Sequence, residues 1–252
     1  MMRRSGGISP VQRLCGFATV YRTVCRELLN KKREPEMEFL KTVIRPGDTC
    51  FDIGAAEGRY SRLMAGLCWP GRVYAFEPGE YQRMVLSAMA RMYRLKNVVQ
   101  VGCALGAQEG TCRLVIPRKK RWNYGYSLAH IERQGEREKT RAPLTQDVVV
   151  TTVDMFCARA GISSVDVIKC DVEGAEYLVF QGGRRTVGRH LPTVLCELVR
   201  EFLSGYRSSP EDVAGFFASF GYRAFVWEGG LVPAVGFDEV RNYLFIHPSR
   251  LP

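Results

Sequence analysis

The chain has 252 residues, 46% of them hydrophobic, with 36 basic against 26 acidic side chains and a net charge of +10. That much apolar content excludes a disordered chain, and the length suits one doubly wound domain with an extension. No apolar run approaches the roughly 18 residues that cross a membrane, and the positive charge favours an anionic partner without choosing between nucleic acid and acidic lipid.

In chain order, Ser9-Pro10 has the composition of a helix start, with Ser as cap and Pro at the first position. Val11, Leu14, Cys15, Ala18, Tyr21, Cys25, Leu28 and Leu29 then fall on one face, opposite Arg13, Arg22 and Arg26. Such a basic amphipathic helix either touches an anionic membrane peripherally or packs over the core as a lid or homodimer contact. A short helix from Glu36 to Val43 ends before Pro46-Gly47. From Asp48 onward strands and helices alternate, which predicts a mostly parallel sheet covered on both faces. The strands fall near 49–54, 72–77, 98–103, 165–171 and 193–198, and the helices near 57–67, 80–95 and 175–182. Thr111–Ile116 and Val148–Val153 read as an additional antiparallel pair flanking a polar, basic stretch near 117–146, too long for an ordinary connection. A helix near 210–219 and strands near 223–227 and 242–247 follow, the last two as a hairpin that closes the sheet. The expected division is an N-terminal helical extension over 1–46 and a single α/β domain over 47–252.

Nine cysteines include no C-x-x-C pair, and His130, His190 and His247 lack the spacing of a zinc site. Cys50, Cys170 and Cys196 lie inside apolar strand patterns, as free thiols do in a reducing compartment. With no secretory h-region after Met1, the expectation is a soluble, cytoplasmic protein.

The chemistry gathers at strand ends. Cys50-Phe51-Asp52-Ile53-Gly54-Ala55-Ala56-Glu57-Gly58 reads as a buried strand running through a glycine turn into a helix. Some 20 residues on, Arg72-Val73-Tyr74-Ala75-Phe76-Glu77-Pro78 ends a second strand in a carboxylate, placed to accept hydrogen bonds from ribose hydroxyls. Asp52 stands where a pyrophosphate would meet negative charge, so a cationic nucleoside such as S-adenosylmethionine fits better than a dinucleotide, and Gly54 and Gly58 allow close approach. Ala104-Leu105-Gly106, after Cys103, offers small residues for an adenine ring, or is an ordinary tight turn. In Val165–Glu176, Lys169, Asp171 and Glu173 alternate toward one side of the strand exit. Gathering three ionisable groups there costs free energy unless they pair or work. Either Lys169 neutralises Asp171 and Glu173 caps the next helix, or Asp171 or Glu173 receives a substrate hydroxyl proton.

FDIGAAEGRYS (51–61), VYAFEP (73–78), ALGAQEG (104–110), GYSL (125–128), IKCDVEGAE (168–176) and PTVLCEL (192–198) together resemble the FkbM family of S-adenosylmethionine-dependent methyltransferases. The resemblance spans Asp48 to Glu197. It implies a class I (Rossmann-like) methyltransferase fold, a doubly wound, mostly parallel seven-stranded sheet, and O-methylation of a sugar or secondary-metabolite hydroxyl. Carried over by position, Asp52, Gly54, Gly58, Tyr60, Ser61 and Glu77 would line the cofactor, with Asp171 and Glu173 near the transferring methyl; the expected cofactor set also takes in Ala55, Glu57, Pro78, Cys103, Ala104 and Asp171. The catalytic set is Asp171, Glu173 and Lys169. S-adenosyl-L-methionine is the expected cofactor; magnesium is possible but not expected, and no metal ligand is assigned. Ala56-Glu57 departs from the family's Asn-x, and Ala88-Met89-Ala90-Arg91 from its Asn-rich segment. Two other readings stay open: an RNA methyltransferase using the basic surface, and a non-catalytic cofactor-binding scaffold that recruits partners through its N-terminal helix.

Overall fold

The computed structural model describes residues 21–25, 34–120, 123–124, 128–133, 143–237, 239 and 241–251. The proposed N-terminal helix lies outside the described residues except for a helical turn at 21–25, and so do most of GYSL and much of the 117–146 insertion. In chain order the helices are α1 (Glu36–Val43), α2 (Arg59–Cys68), α3 (Glu80–Met92), α4 (Val153–Ala160), α5 (Glu176–Gln181), α6 (Arg184–His190), α7 (Arg200–Ser204) and α8 (Pro210–Ala218). The strands are β1 (Thr49–Ile53), β2 (Arg72–Phe76), β3 (Val98–Val101), β4 (Ala104–Leu105), β5 (Gly110–Ile116), β6 (Arg118–Lys120), β7 (Asn123–Tyr124), β8 (His130–Ile131), β9 (Leu144–Thr151), β10 (Val167–Cys170), β11 (Thr193–Leu198), β12 (Arg223–Trp227), β13 (Leu231–Pro233) and β14 (Arg241–Ile246). Among the described residues no helix is long and apolar enough to cross a membrane.

The main sheet has eight strands in the order β13-β12-β14-β11-β10-β1-β2-β3. The five strands from β11 to β3 run parallel, and β14 is inserted antiparallel between β11 and β12. The expected count of seven is therefore corrected to eight. β13 turns back on β12 through 228–230 and adds an outer edge strand. The expected C-terminal pair is present as β12 and β14, but the local hairpin is β12–β13.

Register decides what each face carries. Cys50, Asp52, Val73, Val167, Lys169 and Leu195 share one face and meet α1 and α2 through Phe39, Leu40, Tyr60 and Met64. Phe51, Ile53, Phe76, Ile168, Cys170, Val194 and Cys196 share the other, under α5, α6 and α8. These strands are apolar on both sides because both sides are covered, as parallel sheets require. The helix ends are chemically marked: Ser209 caps α8 in a reciprocal pair with Asp212, followed by Pro210. The expected antiparallel partners β5 and β9 form the centre of a separate four-stranded sheet, β4-β9-β5-β8, beside the carboxyl ends of β1 and β2. All eight described cysteines are free thiols, and Cys50, Cys68, Cys157, Cys170 and Cys196 are buried.

Candidate active site

A cavity of about 640 Å³ opens at the carboxyl ends of β1, β2 and β10, under the small sheet. Doubly wound folds bind ligands beyond the strand ends, where strand order reverses, and here β1 lies between β2 and β10. The turn after β1 is shaped by close approach. Gly54 has φ +77°, and a Cβ on it would stand 1.8 Å from the Asp171 carbonyl oxygen. Only glycine lets the two strand tips come together at that point. The amides of Gly54 and Ala55 both donate to the Phe76 carbonyl, which ties the turn to β2.

Glu77 occupies the end of β2 with both carboxylate oxygens engaged. Ala56 N donates to one at 3.0 Å and Gly79 N to the other at 2.8 Å. Burial outweighs these bonds and pushes Glu77 up to about 7. Tyr60, from α2, donates its hydroxyl to Glu34, and Arg59 pairs with the same carboxylate at 2.9 Å. Across the cavity, Lys169 donates to Asp171 Oδ2 at 3.0 Å, and its ammonium lies 5.1 Å from the Tyr60 ring centroid. Burial opposes its charge, but the carboxylates of Asp171 and Asp52 prevail and hold Lys169 above its ordinary value.

Glu173 has φ +58°, a left-handed conformation rare for a residue with a side chain. Burial, with Asp171 and Glu176 close by, pushes it up to about 7. It does not cap α5. That helix has no side-chain cap, and its first residue, Glu176, braces the preceding turn instead, its Oε1 accepting from Val172 N at 2.9 Å and Gly174 N at 3.1 Å.

Of the residues expected at the site, Gly54, Ala55, Glu57, Tyr60, Glu77, Pro78, Cys103, Ala104, Lys169, Asp171 and Glu173 line the cavity. Asp52, Gly58 and Ser61 do not. Asp52 is fully buried, accepts from Ser61 Oγ at 2.5 Å, and shares the α2 face with Lys169. Its carboxylate, expected to meet the ligand, is instead enclosed against α2 by Ser61 and is not part of the cavity wall. Gly58, at φ +83°, precedes α2, with Leu86 in the space its Cβ would take.

Several lining residues escaped the sequence argument. Glu197 is the penultimate residue of β11, and its register partner on β14 is Asn242. Burial and the neighbouring Asp171 carboxyl push Glu197 up to about 8. An acid inside an apolar strand was the available signal, the same one that marked Asp171. Asn242 carried none, since only sheet pairing places it. The segment 128–133 contributes Ala129, His130 and Ile131 to the wall. Arg133 anchors it by donating to the Glu173 carbonyl at 3.2 Å and lying over Phe202 and Tyr206, while Tyr206 donates to the Ile131 carbonyl at 2.5 Å. Among the described residues the wall holds seven acids, Glu34, Glu36, Glu57, Glu77, Asp171, Glu173 and Glu197, against Arg59 and Lys169. A basic protein thus encloses an acidic cavity.

Residues 52–224 match the family model described as the methyltransferase FkbM domain. The chain is 29% identical over 167 residues to the 31-O-demethyl-FK506 methyltransferase FkbM of Streptomyces tacrolimicus, a stretch covering 55% of this chain and 60% of that relative. It is also similar to the crystal structure of the methyltransferase FkbM from Methylobacillus flagellatus. That match has a TM-score of 0.52 at 16% identity and covers 94% of this chain and 59% of that one. The chain therefore spans about 60% of the length of these relatives. With the family model covering more than half of its residues, the chain belongs to the FkbM methyltransferase family and has the class I methyltransferase fold.

Proposed function

We infer that the chain transfers the methyl group of S-adenosyl-L-methionine to a hydroxyl of a small-molecule, sugar or secondary-metabolite acceptor. The observation that carries the reading is the cavity at the ends of β1, β2 and β10, in a chain of this family, with Glu77 oriented by two backbone amides. The residues suit a cationic nucleoside. Glu77 stands where it accepts from ribose hydroxyls, Gly54 keeps the floor open, and the acidic wall favours a positively charged ligand. The donor, consumed in each turnover, supplies a methyl carbon on a sulfonium whose C–S bond breaks as the new O–C bond forms.

The protein's own contribution is alignment and charge. Holding acceptor and donor in near-attack geometry supplies about 7–11 kcal/mol of the barrier. A carboxylate at Asp171 or Glu173 that takes the hydroxyl proton adds a factor of about a hundred to ten thousand. Lys169 fixes the Asp171 carboxylate at 3.0 Å, and Leu114 and Ile131 give the cavity an apolar, water-excluding side. A polyanionic RNA acceptor is disfavoured by the acidic wall, despite the basic exterior.

Titration calorimetry with S-adenosylmethionine tests the reading. Glu77→Ala is expected to lower affinity roughly 10- to 150-fold, the worth of a charged hydrogen bond of about 1.5–3 kcal/mol, with little change in the chemical step. Absence of binding heat and of thermal stabilisation in the unaltered protein would refute the proposal. A screen of hydroxylated compounds for methyl uptake then identifies the acceptor.

A further inference from the structure

The tips of β10 and β11 bring two carboxyl groups together. Asp171 and Glu197 follow the Cys170–Cys196 register pair on adjacent parallel strands, and both line the cavity. Like charges placed side by side resist double ionisation, so one carboxyl of such a pair keeps its proton more readily than it would alone. The groups facing the pair come from every neighbouring element. Lys169 on β10 lies 3.0 Å from Asp171, Glu173 stands in the following loop, and Glu176 on α5 adds further negative charge. The neutral Asn242 pairs in register from β14. Arg133 faces Glu173, and Lys169 divides its single charge between Asp171 and the buried Asp52. Among the described residues the pair is therefore short of positive charge, in a cavity whose wall carries seven acids against two bases.

We propose that the Asp171–Glu197 pair senses the charge of the methyl donor: it holds a proton in the donor-free protein, releases it to solvent when a sulfonium enters, and so becomes the base for the acceptor hydroxyl. This inference rests on the methyl-transfer reading above. S-adenosylmethionine carries one more positive charge than its demethylated product, S-adenosylhomocysteine, and in a partly desolvated cavity that difference acts strongly on nearby carboxyl groups. Burial already holds Glu197 above the ordinary glutamate range, so it has a proton to lose near neutral pH.

The cycle balances. On donor binding one proton leaves as one positive charge arrives. In turnover the acceptor O–H proton passes to the pair and the oxygen bonds to the methyl carbon. The C–S bond breaks with its electrons on sulfur. The neutral thioether then faces a pair that has regained its proton, and the cavity's charge is unchanged throughout.

The test is titration calorimetry on the full chain at pH 7, with S-adenosylmethionine and S-adenosylhomocysteine separately, in phosphate and in Tris. The dependence of heat on buffer protonation enthalpy counts the protons released. S-adenosylmethionine is expected to release about one proton more than S-adenosylhomocysteine. The excess should fall away as pH rises through about 8, where Glu197 is already losing its proton, and should vanish in Glu197→Gln, which has no titratable proton at that position. Equal proton counts for the two ligands, or an excess that survives in Glu197→Gln, would overturn the inference while leaving the donor site intact. If neither ligand binds, the methyl-donor reading fails and the inference falls with it. Should Glu197→Gln not fold, the contrast between the ligands and its pH dependence in the unaltered protein decide the matter.

Discussion

Replacing Lys169 with Met separates the architectural role of this lysine from any chemical one. Lys169 is only 4% exposed and sits on β10 in register with Asp52 on β1. Its ammonium donates to Asp171 at 3.0 Å, reaches the Gly54 carbonyl at 3.5 Å, and faces the Tyr60 ring. Asp52 beneath it is fully buried, receives one hydrogen bond from Ser61, and has one oxygen without a hydrogen-bond partner among the described residues. Met fills a similar volume but leaves the Asp52 charge uncompensated. Removing one member of a buried pair costs about 3–5 kcal/mol. At roughly 2–4 °C per kcal/mol for a chain of this size, the melting temperature at pH 7 should fall by roughly 6–20 °C. Burial raises Asp52, and losing Lys169 raises it further. A raised carboxyl contributes stability that is present at low pH and lost as pH rises, so the deficit should shrink toward pH 4. Lys169→Met combined with Asp52→Asn should recover most of the loss, because a neutral amide still bonds Ser61. Thermal and urea unfolding followed by circular dichroism measure both effects. A single variant within 1 kcal/mol of the unaltered protein at pH 7, or a double variant no more stable than the single, would refute the reasoning.

Gly54→Ala should cost more than the about 1–2 kcal/mol of left-handed strain, because its Cβ would also strike the Asp171 carbonyl and push β1 and β10 apart. Loss of donor binding by calorimetry together with a lowered melting temperature is expected, and unchanged affinity would contradict it. Glu176 is fully buried and raised to about 7, chiefly by burial. Its folded value exceeds its unfolded one, so its contribution is complete below about pH 4.5 and is lost as pH rises through 7. Glu176→Gln keeps the oxygen that accepts from Val172 and Gly174, and should gain on the unaltered protein by up to about 3 kcal/mol between pH 5 and pH 8. Equal pH dependence of urea unfolding in the two proteins would argue against it.

The amino-acid sequence alone determined the alternation of β1, α2, β2 and α3, the bounds of α1, and the marking of strand ends by Gly54, Glu77, Lys169 and Asp171, because periodicity and turn chemistry are local. Weakly patterned pieces were not legible. α4 is announced only by the Thr152 cap and the left-handed Gly161, α6 and α7 are short, and β13 has three residues. Tertiary structure decided which face each alternating residue took. Alternation separates Asp52 from its neighbours but cannot say that its side will be roofed by α2, which removed it from the cavity wall. It also decided the partners. Glu197 meets Asp171 because β11 lies beside β10, and Asn242 arrives because β14 is inserted next to β11. The wall from 128–133 is held by Arg133 on Phe202 and Tyr206, some seventy residues away in the chain. Contacts of that separation are set by the order of strands in space, which no local pattern encodes.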